Sequence, residues 1–563
     1  YKNMNADGTL TSSAGRASFS HQASDKEVEA YMNPEFLFGK ASDVPFDYAG
    51  TLRGAAAPMN FVISPTEISW ESDDQAVGYL VYKDGVFCAF TDKPNITKTA
   101  DDQTVYSVRA VSRRGVMSNL VKATDAQRVK AFPSAEGFGK YATGGRGGKV
   151  VKVTKLADDG SEGTLRWAFN QYKNEPITIV FAVSGNIVLQ SQLRINRADW
   201  TLAGQSAPGE GISIIRNKIN LGGSENFIVR NIRFRAGQKD VNGEKLQDQA
   251  LGVENCSNFI FDHCSFGWSM EENMNTQDSH FLTVQNSIVH EGLYNAGHAK
   301  GVRGYGTQWG GSPATYCYNL LADNQSRSPR INGARGEDCV VFMEYINNVN
   351  FNYGKNGGCY GGENTAPVSS YNGLNSAHEC NFMGNYYKPG NASNDASQAV
   401  LVNASYAREG ATSWAPAQWY VSGNYIEGNA AANADNWKAM TAETYSLDQI
   451  RVNSRIVPQH AYYKYSVSGP VGSYDPYQYM ITDVMSAPDA YQYVLAHAGT
   501  VNRDKVEQRV VSEARTGVSN YGGVTMGKKS GIIDTEADCE GFIDLSTDWA
   551  TPVDTDGDGM PDE

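Results

Sequence analysis

The stretch Phe227-Ile228-Val229-Arg230-Asn231-Ile232-Arg233-Phe234 decides the fold. Two short apolar runs flank a single polar residue. Runs of three or four β-branched and aromatic residues read as short buried strands. Asn231 sits where the chain must bend, and asparagine is the ordinary residue best able to adopt left-handed backbone there. The pattern returns at Phe259-Ile260-Phe261-Asp262-His263-Cys264-Ser265-Phe266 and at Leu282-Thr283-Val284-Gln285-Asn286-Ser287-Ile288-Val289, then around Asn319, Asn348, Asn385 and Asn424. Steps of roughly 23 to 39 residues, with insertions, describe coils of a solenoid that carries loops. Stacked asparagines can hydrogen-bond along such a solenoid. An antiparallel sandwich with asparagine turns is the competing architecture.

Working outward, residues 131–545 carry this repeat, and Ser486 to Ala498 reads as one amphipathic helix with a serine cap. Upstream, residues 55–124 show Phe61-Val62-Ile63, Ile68-Ser69-Trp70, Tyr79-Leu80-Val81-Tyr82 and Tyr106-Ser107-Val108-Arg109-Ala110-Val111 as short strands between Asp, Gly and Asn turns. They resemble a fibronectin type III β-sandwich with Trp70 and Tyr106 in its core. Residues 1–54 are polar and run into a linker; Tyr1-Lys2-Asn3, Gly8, Arg16 and the stretch to Tyr31 and Phe36 resemble the tail of a pectin methylesterase. At the other end, 546–563 closes on Asp554-Thr555-Asp556-Gly557-Asp558-Gly559-Met560-Pro561-Asp562-Glu563. Alternating acids around glycine suit calcium and resemble a truncated thrombospondin type 3 repeat; a solvated acidic tail is the other reading.

The chain has 563 residues, too many for one compact core, so two to four units are expected. No apolar run is long enough to span a bilayer. A net charge of −14 argues against a nucleic-acid partner. It also means that a polyanion could be gripped only by cations gathered into one groove, or through a metal. The chain opens on Tyr1 and reads as a processed or trimmed product. Four of its eight cysteines, Cys317, Cys339, Cys359 and Cys380, are spaced by 22, 20 and 21, which suggests one position revisited per coil.

Several motifs occur in one order: Ala131-Phe132-Pro133-Ser134-Ala135-Glu136-Gly137-Phe138-Gly139 with Thr143-Gly144-Gly145-Arg146-Gly147-Gly148, then Thr201-Leu202-Ala203-Gly204-Gln205-Ser206-Ala207-Pro208-Gly209, Phe261-Asp262-His263-Cys264-Ser265, Gly304-Tyr305-Gly306-Thr307-Gln308-Trp309-Gly310-Gly311 and Ser326-Arg327-Ser328-Pro329-Arg330. Together they resemble polysaccharide lyase family 1, the pectate lyases. The resemblance implies an all-β chain with a right-handed parallel β-helix. It implies a calcium-dependent lyase acting on polygalacturonate (demethylated pectin) by β-elimination, exported to the extracellular space or periplasm of a bacterium, and monomeric.

β-Elimination removes the proton at C5, beside a carboxylate whose charge must first be cancelled by a metal or fixed cations. Asp248, Glu271 and Glu272 are the candidate Ca²⁺ ligands by their place in the family's motifs; Asp240 and Glu244 are weaker ones. Only one of the adjacent glutamates can face the groove if both lie on a strand. Arg327 matches the family's arginine base, though a guanidinium normally stays protonated and could instead clamp a carboxylate. Lys300 and Arg330 would hold substrate carboxylates; the family's further arginine is replaced here by Asn332. His298 and Trp309 are groove-lining candidates, and Trp268 and Trp309 could stack on sugars or simply pack. Asp262-His263 resembles a buried structural pair, away from the groove. A pectin lyase on esterified chains, or a non-catalytic calcium-dependent pectin-binding solenoid, are the rival functions.

Overall fold

The computed structural model describes residues 55–63, 67–73, 75–98, 105–112, 115–123, 129–333, 338–354, 358–362, 378–393, 399–404, 416–458, 463–464 and 476–545. The expectations for residues 1–54 and 546–563 lie outside them. The chain divides into two compact units, Tyr1–Val129 and Lys130–Glu563.

In the first unit, Met59–Ile63, Glu67–Glu71 and Asn95–Thr97 form one antiparallel sheet. Val86–Thr91, Ala76–Lys83, Tyr106–Ser112 and Val121–Lys122 form another. Phe61, Ile68, Trp70, Tyr79, Val81, Tyr106 and Val108 make a shared apolar core, with Trp70 edge-on to Tyr79 at 5.1 Å.

The second unit is a parallel β-helix. Each coil lays one strand in each of three sheets. Glu225–Arg230 belongs to the first sheet, Ile232–Arg235 to the second and Leu251–Gly252 to the third. The chain then returns to the first sheet at Ser257–Asp262, in parallel register with Glu225–Arg230. The bend between first and second sheets needs a left-handed residue, and Asn231, His263, Asn286, Tyr318 and Asn347 all have positive φ. From Tyr318 onward the bend residue precedes the repeated asparagine, which is freed for another task. Asn319 Nδ2 donates to Asn348 Oδ1 at 3.0 Å, Asn348 to Asn385 at 3.3 Å, and Asn385 to Asn424 at 2.8 Å. These buried amides form a ladder that satisfies each coil's backbone through the next.

Inside the coils, equivalent positions stack like on like: Trp200 on Phe227 at 4.6 Å and Phe227 on Phe259 at 4.7 Å. The cysteine spacing has a different origin from the one expected. Cys317 aligns with Ile346 and Cys380 with Met343 in the first sheet, whereas Cys359 precedes Tyr360–Gly361 in the third. The near-equal steps are therefore not one repeated position, and these three are buried thiols outside any disulfide.

The helix expected at Ser486 runs from Ala487 to His497, with Ser486 Oγ capping Asp489 N–H. A second helix, Lys505–Thr516, begins with the reciprocal cap Asp504/Glu507 and ends on left-handed Gly517. Its cap acids also anchor it to the second sheet. Arg235 Nη1 donates to Asp504 at 2.6 Å and Arg233 Nε to Glu507 at 2.6 Å, all fully buried.

Candidate active site

The third sheet positions the candidate residues along its N-terminal edge. Its strands Ile219–Asn220, Leu251–Gly252, Glu272–Asn275, Tyr305–Trp309 and Arg330–Ile331 stack in parallel. Glu271 N–H donates to the Asp248 carbonyl at 3.2 Å, which places those two side by side on successive coils. Glu272 aligns with Tyr305, and Tyr305 bridges to Ser326, the neighbour of Arg327. With coils about 4.8 Å apart, Asp248 and Arg327 lie at the same end of the third sheet, some three coils apart.

Every carboxylate on this edge is matched to a protein cation. Lys218 Nζ lies 2.8 Å from Asp248 Oδ1 and 2.6 Å from Gln249 Oε1. Glu271 Oε1 is 3.1 Å from His298 Nε2, 3.6 Å from Lys300 Nζ and 3.5 Å from Arg303 Nε. Glu272 contacts the Arg327 guanidinium. The two adjacent glutamates therefore serve different partners.

Arg327 sits in left-handed backbone (φ 56°), with its guanidinium 3.9 Å above the Tyr305 ring. Its Nε–H donates to Tyr360 Oη at 3.1 Å and Nη1 to Gln308 Oε1 at 3.4 Å. Burial pulls the Arg327 pKa below its ordinary value; Arg330 acts in the same direction, while Tyr360 and Glu271 oppose it. Arg330 is buried beside Gln308, 5.6 Å over the Tyr360 ring. Lys300 is the exposed member, with 74% of its side chain open to water.

"Probable pectate lyase C" of Aspergillus flavus is 31% identical over 438 residues, covering 77% of this chain and 86% of the relative. The chain belongs to the pectate lyase family. The same-named protein of Emericella nidulans is 34% identical over 285 residues, 48% of this chain and 62% of its own length. Jun a 1, the major allergen from cedar pollen, is a solved structure at 15% identity and TM-score 0.40, spanning 65% of this chain and 93% of its own. No family model matches. These relatives make the protein a polysaccharide lyase. Several of them are fungal, so the expected bacterial origin finds no support among them.

Not every predicted site residue of this pectate lyase opens onto that edge. Trp309 is fully buried and stacked on Tyr316 at 4.4 Å; it points into the coil, because strand alternation sends its neighbour Gln308 outward. Trp268 is likewise internal, with Nε1 donating to Glu291 at 3.0 Å. His298 is buried, with Nδ1 accepting from Lys300 N–H at 3.0 Å and Nε2 facing Glu271. Asp240 spends Oδ1 on the N–H groups of Asn242 and Glu244 at 2.9 Å, closing its own loop. The Asp262-His263 pair lies on the first sheet, apart from this edge, with Arg230 on Asp262 at 2.9 Å. Burial would raise the Asp262 carboxyl, but His263, Arg230 and Gln285 outweigh it and hold it down at about 2.

Sequence reasoning missed Lys218, Arg303, Tyr305 and Tyr360. Register supplies the absent signal: Lys218 precedes Ile219 one coil before Leu251, and Tyr360 aligns with Arg330. As calcium donors, Asp248, Glu271 and Glu272 offer the hard oxygens that the ion takes, so the donor chemistry fits. Among the described residues no three His, Cys, Asp or Glu side chains already converge as a metal cage, because each acid is drawn to its own cation.

Proposed function

We propose that this pectate lyase cleaves α-1,4-polygalacturonate by calcium-dependent β-elimination, releasing 4,5-unsaturated oligogalacturonides. The observation that carries the reading is the single sheet edge holding Asp248, Glu271, Glu272, Lys300 and Arg327. An acidic protein can meet an acidic polymer there because charge is cancelled locally.

Asp248, Glu271 and Glu272 would hold Ca²⁺, which supplies charge cancellation on the substrate carboxylate and so acidifies the C5 proton. Lys300, exposed at the groove lip, meets a uronate carboxylate. Arg330 offers a planar fork for a second one. Arg327 accepts the C5 proton: the C–H electrons become the C4=C5 double bond, the C4–O bond breaks, and the departing oxygen takes up a proton from solvent. A guanidinium can serve as base only as its neutral form is made accessible. Burial and the nearby Arg330 push in that direction. His298 and Arg303 orient Glu271.

An esterified substrate needs no such neutralisation and would leave the three acids without a task. Residues 55–124 serve as a fibronectin type III-like spacer or polysaccharide-contact module, and the protein works as an exported monomer. The test is release of unsaturated product from polygalacturonate, followed by ultraviolet absorbance, with added Ca²⁺ against EDTA. Activity should vanish with the chelator and return with calcium. Faster, chelator-insensitive release from methylated pectin would overturn the reading.

A further inference from the structure

We propose that Lys218 and Arg327 are resident counter-cations of the carboxylate edge, so that a divalent ion binds by exchange: it displaces both and thereby frees Arg327 toward the substrate. The inference rests on the calcium reading above and concerns what this chain's own residues do when the ion arrives.

Three observations lead to it. Glu272 is almost wholly buried, and a buried carboxylate stripped of its partner is costly. Arg327 fills that need, which commits the proposed base to a neighbouring acid. Asp248 is 43% exposed, yet the Lys218 ammonium that meets it is largely sequestered, with Gln249 Oε1 as second acceptor. Such a cation is placed by the fold rather than by chance encounter at the surface. Finally, Arg327 has neutral places to go. Tyr360 Oη and Gln308 Oε1 already accept its Nε–H and Nη1–H, and the Tyr305 ring lies beneath it. A guanidinium released from Glu272 by a doubly charged ion stays in the groove, held by groups that do not neutralise it.

Exchange makes a prediction opposite to that of a cooperating ligand set. If Lys218 and Arg327 compete with the ion, removing either charge tightens binding. The experiment is calorimetric titration of the full chain with CaCl₂ at low ionic strength. Lys218→Gln, which keeps a polar hydrogen-bonding end without the charge, and Arg327→Gln should each bind about five- to tenfold tighter than the unaltered protein. Arg194→Gln removes an exposed charge on a neighbouring coil and should change affinity less than twofold, which separates exchange from a general charge effect. Equal or weaker binding in either variant overturns the exchange as stated while leaving calcium dependence intact. An unaltered protein that binds no calcium at millimolar concentration removes the calcium reading itself. Circular dichroism confirms that each variant is folded, and the two variants test the proposal independently.

Discussion

Replacing Asn348 with alanine cuts the polar ladder at its middle. Asn348 is fully buried. Its Oδ1 accepts from the Asn319 N–H and from Asn319 Nδ2, both at 3.0 Å. Its Nδ2 donates to the Tyr316 carbonyl at 2.9 Å and to Asn385 Oδ1 at 3.3 Å. Truncation strips a partner from two donors on Asn319 and from the Tyr316 carbonyl, while Asn385 Oδ1 keeps the Asn348 backbone N–H. A buried polar group left unpaired costs about 1–3 kcal/mol, so three of them sum to about 3–9 kcal/mol before the relief that a shift of the coils gives. Urea unfolding followed by tryptophan fluorescence reads it, because Trp200, Trp309 and Trp419 all lie in the coil interior. Asn348→Asp keeps the volume and acceptors but loses both donors, and should be destabilised as well. A loss under about 1 kcal/mol for Asn348→Ala would refute the view that the ladder couples the coils.

Two other residues give pH-dependent outcomes of opposite sign, and a third tests the placement of an aromatic. Burial raises the Glu379 carboxyl to about 7, so its contribution to stability is full below about 4.5 and is lost as pH climbs through 7; Glu379→Gln should match the unaltered protein at pH 4 and exceed it at pH 9 by at most about 3 kcal/mol, less in proportion to the water reaching that side chain, as read by denaturant midpoints. Asp262, held at about 2, stabilises above its ordinary value near 3.8 and stops doing so as pH falls through 2; Asp262→Asn should therefore flatten the acid limb of the stability curve while lowering stability at neutral pH. Trp309→Phe should leave KM for polygalacturonate unchanged and lower stability by about 1–3 kcal/mol, whereas a raised KM with intact stability would return Trp309 to the groove.

The architecture was legible because its signals are local. A short strand, a left-handed residue and another strand recur in the sequence, and Asn231 and Asn286 take the backbone conformation that their residue type favours. The ladder at Asn319, Asn348, Asn385 and Asn424 was legible for the same reason, although its bend lies one residue earlier, at Tyr318 and Asn347 in the first two of those coils. The helix at Lys505 carries the local Asp504-x-x-Glu507 signature, whereas its docking through the same two acids onto arginines some 270 residues away has no local signal. Motif positions led to Asp248, Glu271, Glu272 and Arg327, and the structure sets these residues on successive coils of one sheet, with Glu272 against Arg327. What chemistry-bearing residues do from outside a motif depends on register between coils, and no local pattern contains that. Lys218 and Tyr360 enter the site this way, and Trp309 leaves it, because one step along a strand exchanges the outer face of the sheet for the core.

Arg327→Lys tests the account most directly, since it keeps the positive charge and removes the guanidinium proposed to take the C5 proton. The variant should still bind polygalacturonate within a few-fold while its release of unsaturated product falls by about a thousandfold. Product release at the unaltered rate would contradict the account.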